Sequence, residues 1–236
     1  HPASDRYHQA VIPLGGGIAI FTTLMLFILA AAVAIKLVLV PGRFAWLAER
    51  ANIDPADFLG KLNQLVFLLL GVLGLFALGL WDDIKHLGPL VKLGVQFAVA
   101  MMAAAFADIR VEFFIESRII TSALSAFWIV LIINAFNFLD NMDGLSAGIA
   151  VIASSILFTA AAISGQVFVG GLALVFVGTL LGFLVFNFPP AKIFMGDAGS
   201  LVVGFFVAML TLRTTYYQEA QSGQWYPVLM PLVVMA

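Results

Sequence analysis

Seven continuous apolar runs, each long enough to cross a bilayer, make up most of this chain and fix the solvent in which it folds. They cover residues 15–40, 62–80, 89–107, 119–136, 144–163, 167–186 and 199–217, and a helical span needs roughly 20 apolar residues. The runs are continuous rather than alternating, which reads as helix and excludes barrel strands. With 63% hydrophobic and 10% charged residues among 236, the chain has too little polar surface to coat a water-soluble globule. The expected fold is therefore all-α: a polytopic transmembrane helical bundle of about seven spans, with a truncated eighth opened by Trp225 and Tyr226.

No internal repeat or low-complexity linker divides the chain, so residues 1–236 read as one membrane-embedded domain. Residues 1–13 are polar and lack the layout of a signal peptide, no initiator methionine is present, and the chain stops inside an apolar run. It reads as a segment cut at both ends. A formal charge of -2 with no basic run gives no reason to expect nucleic acid, and the lack of cysteine excludes disulfides, thiolate metal sites and cysteine nucleophiles. The seventh span reads as the weakest, because Arg213 near its end would have to snorkel to the interface. Gly71, Gly74, Gly79, Gly170, Gly171, Gly178 and Gly182 lie inside spans and suit close helix packing in lipid.

Each complete span carries the chain to the other side of the membrane, so the loops sort by parity. Residues 1–14, 81–88, 137–143 and 187–198 share one face; 41–61, 107–118, 164–166 and 214–224 share the other. The first face collects Asp82, Asp83, Asp140, Asp143 and Asp197 at or beside span ends, whereas the second holds scattered mixed charges. Counted by lysine and arginine alone, the positive-inside rule weakly places the carboxylate face outside.

Four blocks on the carboxylate face carry the chemistry. Asp82 and Asp83 follow Trp81 directly. Such a pair can be solvated helix-end charge, but adjacent carboxylates repel, and near a membrane they favour a bound cation, a cationic partner or one raised pKa. The second block, Asn134 to Gly144, sets Asn137, Asp140, Asn141 and Asp143 between two spans with almost no loop. A tight turn accounts for Asn141 and Gly144 but poorly for Asn137 and Asp140, whose polar groups suit a cavity lining. It lacks the spacing and distal glutamate of an EF-hand. In the third block, Pro189 and Pro190 end a helix after Asn187, and Phe194-Met195-Gly196-Asp197-Ala198-Gly199-Ser200 opens the next, with Asp197 as a candidate N-cap. Oxygen-only donors of this kind suit Mg²⁺ or Mn²⁺ completed by water and substrate phosphate. The fourth block, Arg6 to Gly17, ends in Gly15-Gly16-Gly17, a helix entry that can offer backbone N–H groups to an anion; it is not a Walker loop.

In order and on one face, these blocks resemble the polyprenyl-phosphate N-acetylhexosamine-1-phosphate transferases (glycosyltransferase family 4). The carrying residues are His8-Gln9 through Pro13, Gly15-Gly16-Gly17, Asp82-Asp83, Asn134 to Gly144, and Phe194 to Ser200. The wording His8-Gln9 and Ile12-Pro13-Leu14 is similar to the branch that uses UDP-N-acetylglucosamine. The resemblance implies transfer of a sugar 1-phosphate from a UDP-N-acetylhexosamine to polyprenyl (undecaprenyl) phosphate, with release of UMP, at the cytoplasmic face of the inner or plasma membrane. It implies Mg²⁺ (or Mn²⁺) bound by Asn137 and Asp197, and Asp82 and Asp83 as catalytic residues acting on the lipid phosphate or helping to place metal and pyrophosphate. Asn137, Asp140, Asp143, Asn187 and Phe194 would contact the nucleotide sugar. The expected partners are those two substrates and the membrane, with no nucleic acid, and a homodimer is compatible. The family's histidine-rich element follows later spans and would lie beyond Ala236.

Two rivals have specific predictions. A CDP-alcohol phosphatidyltransferase shares the beginning of its D-x-x-D-G-x-x-A-R pattern with Asp140 to Ala147, but Gly148 stands where arginine is required and the downstream aspartates are missing. A cation-coupled transporter would need carboxylates near span centres and inverted repeats. Here they sit at span ends.

Overall fold

The computed structural model describes residues 12–39, 46, 49, 59–107, 109–110 and 117–214. Seven long helices occupy them: α1 (Gly16–Ala34), extended by a π-helical turn over Ile35–Leu39, α2 (Leu62–Lys85), α3 (Pro89–Phe106), α4 (Arg118–Leu139), α5 (Leu145–Ile163), α6 (Val167–Asn187) and α7 (Gly196–Thr214). There is no strand among the described residues. All seven helices are long and apolar enough to cross a membrane, as the hydropathy pattern requires. The expected eighth span and residues 1–11 lie outside the described residues.

The helices outrun the apolar runs at the carboxylate end. α2 continues past Leu80 to Lys85, α4 past Phe136 to Leu139, and α7 begins at Gly196 rather than Gly199. Asp82, Asp83, Asn137 and Asp197 consequently lie in terminal helical turns, not in the loops where hydropathy alone would put them. Helical hydrogen bonding goes on satisfying the backbone where the lipid core gives way to a polar interface. α2 stops where His86 takes a left-handed conformation (φ 49°), and Gly88 and Pro89 then open α3.

The bundle is organised around α7. This helix packs against α1, α2, α4 and α5 and more lightly against α6, and every residue from Ala198 to Leu212 is buried. Expected to be the weakest span, it is the central one. Its mean hydropathy, 1.4 against 2.7 for Gly16–Val38, is low because its neighbours are protein. The helices around it must instead satisfy lipid, and Leu26, Phe27, Leu90, Phe127 and Val185 point outward accordingly. Arg213, near the end of this helix, is held by partners at the ends of two neighbouring helices. Its guanidinium donates to Gln64 Oε1 (2.9 Å) and to the Ala107 carbonyl (3.2 Å), tying the end of α7 to α2 and to the end of α3.

Glycine sets how closely α7 is approached. A Cβ on Gly17 would meet the Gly199 nitrogen at 2.4 Å, one on Gly79 the Asp197 carbonyl oxygen at 2.4 Å, and one on Gly204 the Ile133 Cα at 2.6 Å. α1, α2 and α4 therefore all cross α7 backbone to backbone, the close approach that replaces hydrophobic drive in lipid. Of the glycines expected to pack closely, Gly79 does. Gly71 and Gly74 meet Val99 at 3.3–3.4 Å and Gly170 makes ordinary contacts, whereas Gly171, Gly178 and Gly182 have nothing within 4 Å among the described residues.

Candidate active site

At one end of the bundle, the α2–α3 turn, the α4–α5 turn, the α6–α7 loop and the entry to α1 meet around the N-terminus of α7. That helix starts at Gly196, held at φ +68°. A Cβ there would meet Asp83 Oδ2 at 2.8 Å, so glycine is required by conformation and by space alike. Asp83 Oδ1 accepts the Asp197 N–H (2.8 Å) and Oδ2 the Ala198 N–H (3.1 Å). The carboxylate capping α7 thus comes from α2, not from Asp197, the residue expected to be the N-cap. It meets the positive end of the α7 dipole and two otherwise orphaned donors.

Released from capping, the Asp197 side chain faces its neighbours. Asn137 Nδ2, in the last turn of α4, donates to Asp197 Oδ1 (2.6 Å) and to Ser200 Oγ (2.8 Å). The Lys92 ammonium, one turn into α3, pairs with Asp197 Oδ2 and with Asp82 Oδ2, the latter at 2.8 Å. Asp82 Oδ1 accepts the Leu87 N–H at 2.5 Å, which holds the α2–α3 turn beneath Lys92. One turn deeper, fully buried Gln96 accepts from Asn134 Nδ2 at 2.7 Å, locking α3 to α4.

Asp140 sits just past α4, close enough to the α7 N-terminus to feel its charges. Burial, and then the nearby Asp197 and Asp83 carboxylates, push its pKa up to about 7, while the Gly196 backbone N–H pulls the other way. Asn141 donates to the Phe138 carbonyl (2.5 Å) and Gly144 is left-handed (φ 72°), so these two form the turn itself. Asp143 and Asn187 both bond backbone. Asp143 Oδ2 accepts the Ala191 N–H (2.9 Å). Buried Asn187 accepts the Gly144 N–H through Oδ1 and donates to the Ile193 carbonyl through Nδ2, both at 2.9 Å. Together they fasten the 188–195 loop, with its cis Pro189–Pro190 bond, to the α4–α5 turn. Half-buried Phe194 is held through its backbone, accepting from Gly16 (2.9 Å) and donating to the Pro13 carbonyl (3.0 Å). Gly17 donates to the Met195 carbonyl (2.9 Å). The glycine-rich entry therefore spends two of the N–H groups that an anion would have used on docking α1 to this loop.

The structure draws together Asp82, Asp83, Asn137, Asp140 and Asp197. Asp143, Asn187 and Phe194 stand behind them, in and under the loop that leads into α7. Lys92 went unrecognised in the sequence, although a lone ammonium one turn inside an apolar span needs a partner and was the available signal. Among the described residues no three histidine, cysteine, aspartate or glutamate side chains converge as a metal cage. The donor set nevertheless fits a hard divalent ion: all oxygen, rich in carboxylate, and already holding a cation in the Lys92 ammonium. Mg²⁺ needs only one or two carboxylates when water and phosphate complete its shell. Asn137 turns its NH₂ toward Asp197, so ligation by Asn137 requires its amide to turn over.

The chain is 29% identical over 242 residues to a probable undecaprenyl-phosphate N-acetylglucosaminyl 1-phosphate transferase of Bacillus subtilis, covering 99% of this chain and 59% of that protein. It is 30% identical over 222 residues to the undecaprenyl-phosphate alpha-N-acetylglucosaminyl 1-phosphate transferase of Thermotoga maritima, covering 94% and 58%. A phospho-N-acetylmuramoyl-pentapeptide-transferase of Limosilactobacillus fermentum is 46% identical, over 36% of this chain and 27% of its own. The chain thus spans well under two thirds of the length of these relatives. Glycosyl transferase family 4 matches residues 65–215, from α2 through α7, and the chain belongs to that family.

Proposed function

We propose that the protein transfers N-acetylglucosamine 1-phosphate from a UDP-N-acetylhexosamine to a polyprenyl phosphate, in the first membrane step of a cell-envelope polysaccharide. In the net reaction an oxygen of the lipid phosphate bonds to the sugar-bearing phosphorus. The diphosphate linkage of the UDP-sugar breaks, UMP leaves, and a polyprenyl-diphosphate sugar remains. The observation that carries this reading is the convergence of Asp82, Asp83, Asn137, Asp140, Asp197 and Lys92 on the α7 N-terminus at one end of the bundle. Two relatives matching nearly the whole chain are named for this transfer. Carboxylates in terminal helical turns suit an enzyme working at the membrane surface rather than a transporter with ion sites at mid-bilayer.

On this reading Asp197, with Asn137, would hold Mg²⁺, which neutralises charge on the pyrophosphate and the leaving UMP. Asp83 fixes the α7 N-terminus and with it the Asp197 carboxylate. Asp82 holds Lys92 at the same point, where an ammonium can bind phosphate oxygen. Asp140 and Phe194 are the side chains for direct contact with the nucleotide sugar, while Asp143 and Asn187 shape that wall by fastening the 188–195 loop. The carboxylate face is cytoplasmic, where nucleotide sugars are made. The test is product analysis on the intact protein: UMP and a polyprenyl-diphosphate sugar should form from UDP-N-acetylglucosamine only when polyprenyl phosphate and Mg²⁺ are both present. UMP release independent of the lipid acceptor would refute the assignment.

A further inference from the structure

We infer that Lys92 is the resident counter-cation of the Asp82–Asp197 pair, and that a divalent ion must displace its ammonium from Asp197 in order to bind. The inference rests on the metal reading above and adds a residue-level consequence to it. Both oxygens of Asp197 are engaged, Oδ1 by the Asn137 amide and Oδ2 by the Lys92 ammonium. Lys92 is well enclosed, its side chain 15% exposed, and it touches a second carboxylate, Asp82, that is enclosed as well.

Its position is fixed from two sides. The Leu87 N–H on Asp82 and the Gly88-Pro89 helix start return α3 over the end of α2, so that Lys92 lies above Asp82. One turn further along α3, the Gln96–Asn134 bond pins this stretch to α4, whose next turn carries Asn137. Lys92 and Asn137 thus hold Asp197 between two helices that cannot separate freely. Turning the Asn137 amide over opens Oδ1 to the ion, but Lys92 would then stand on the other oxygen of the same carboxylate, and the two positive charges repel at short range in a partly buried site. The ion takes Asp197, and the ammonium keeps Asp82. It is then free to donate to a phosphate oxygen brought in with the substrates. Without a divalent ion, the same ammonium keeps clustered carboxylates from repelling one another.

Divalent binding and Lys92 are therefore in competition, and the experiment reads that competition directly, without turnover. Mn²⁺ affinity of the intact protein in nanodiscs would be measured by electron paramagnetic resonance of free Mn²⁺, with Asp197→Asn as the blank. Lys92→Met should bind Mn²⁺ about tenfold or more tightly than wild type, because the competing charge is gone. Its unfolding midpoint should fall without divalent ion and recover when Mn²⁺ is added. Lys92→Arg, which keeps the charge, should stay near wild type in affinity. Equal or weaker Mn²⁺ binding by Lys92→Met, beside normal binding by wild type, would overturn the inference and leave the metal reading intact. A Lys92→Met protein that unfolds with or without Mn²⁺ would make Lys92 a structural clamp, and would also overturn it. Wild type that binds no Mn²⁺ above the blank would remove the metal reading itself.

Discussion

The Asp83 carboxylate on α2 accepts the backbone N–H groups of Asp197 (2.8 Å) and Ala198 (3.1 Å), so one helix caps another across 114 residues of sequence. The cap orients the residue on which the proposed metal site depends. Replacing Asp83 with Ala orphans two donors at the positive end of the α7 dipole. It should cost about 1–2 kcal/mol of stability and abolish most transfer activity with it. Asp83→Asn keeps one acceptor but loses the charge, and should fall between. Thermal unfolding of the purified variants, followed alongside UMP release, checks the order.

Helix crossing at Gly17 leaves no room for a methyl group. Gly17→Ala drives a Cβ toward the Gly199 backbone and should separate α1 from α7, costing about 1–3 kcal/mol, the usual range for overpacking. Gly178→Ala, where nothing among the described residues lies within 4 Å, should leave the unfolding midpoint unchanged or slightly raised. Equal effects of the two substitutions would show that glycine at the α1–α7 crossing is not sterically required.

Asp140 predicts a pH dependence of stability. Its pKa is raised from 3.8 to about 7, so the folded state binds this proton more tightly than the unfolded chain does. The associated stability is fully present below pH 3.8 and is lost as pH rises through about 7. Asp140→Asn removes that contribution. Compared with wild type, its unfolding midpoint should decline less between pH 4 and pH 7.5, which a thermal-shift series in detergent would register.

Orientation is decided by labelling in intact cells with an impermeant thiol reagent. The chain has no native cysteine. Lys192→Cys, exposed in the α6–α7 loop, should be shielded, and Ser164→Cys, exposed between α5 and α6, should react. The reverse pattern would place the carboxylate cluster outside the cell.

Helix number, the membrane setting and the gathering of carboxylates on one face were legible in the sequence, because lipid demands unbroken apolar runs and parity then sorts the loops. The blocks around Asp82, Asn137 and Asp197 stood out as a candidate site because such residues are costly at membrane depth. Contacts between distant helices were not legible. Local spacing suggested that Asp197 caps its own helix, and only the folded bundle delivers Asp83 to that role. Arg213 near its end made α7 read as the weakest span, because the sequence does not show that the helix is enclosed by protein along its length. Lys92 was hidden for a related reason: its partners lie ten and 105 residues away. Both polar ends of Asn187 are used on backbone, which sequence spacing could not reveal.

On the proposed function, Asp197 holds a divalent ion for phosphoryl transfer and does more than open a helix. Asp197→Asn keeps the shape of the side chain and leaves the Asp83 cap in place, since that cap uses the backbone of residue 197. The most direct measurement compares Mg²⁺-dependent UMP release and unfolding midpoint for wild type and Asp197→Asn in the intact protein. The midpoint of Asp197→Asn should stay close to wild type while transfer falls by at least about a hundredfold. Near-normal turnover at ordinary Mg²⁺ would leave Asp197 a structural residue and remove the proposed metal site.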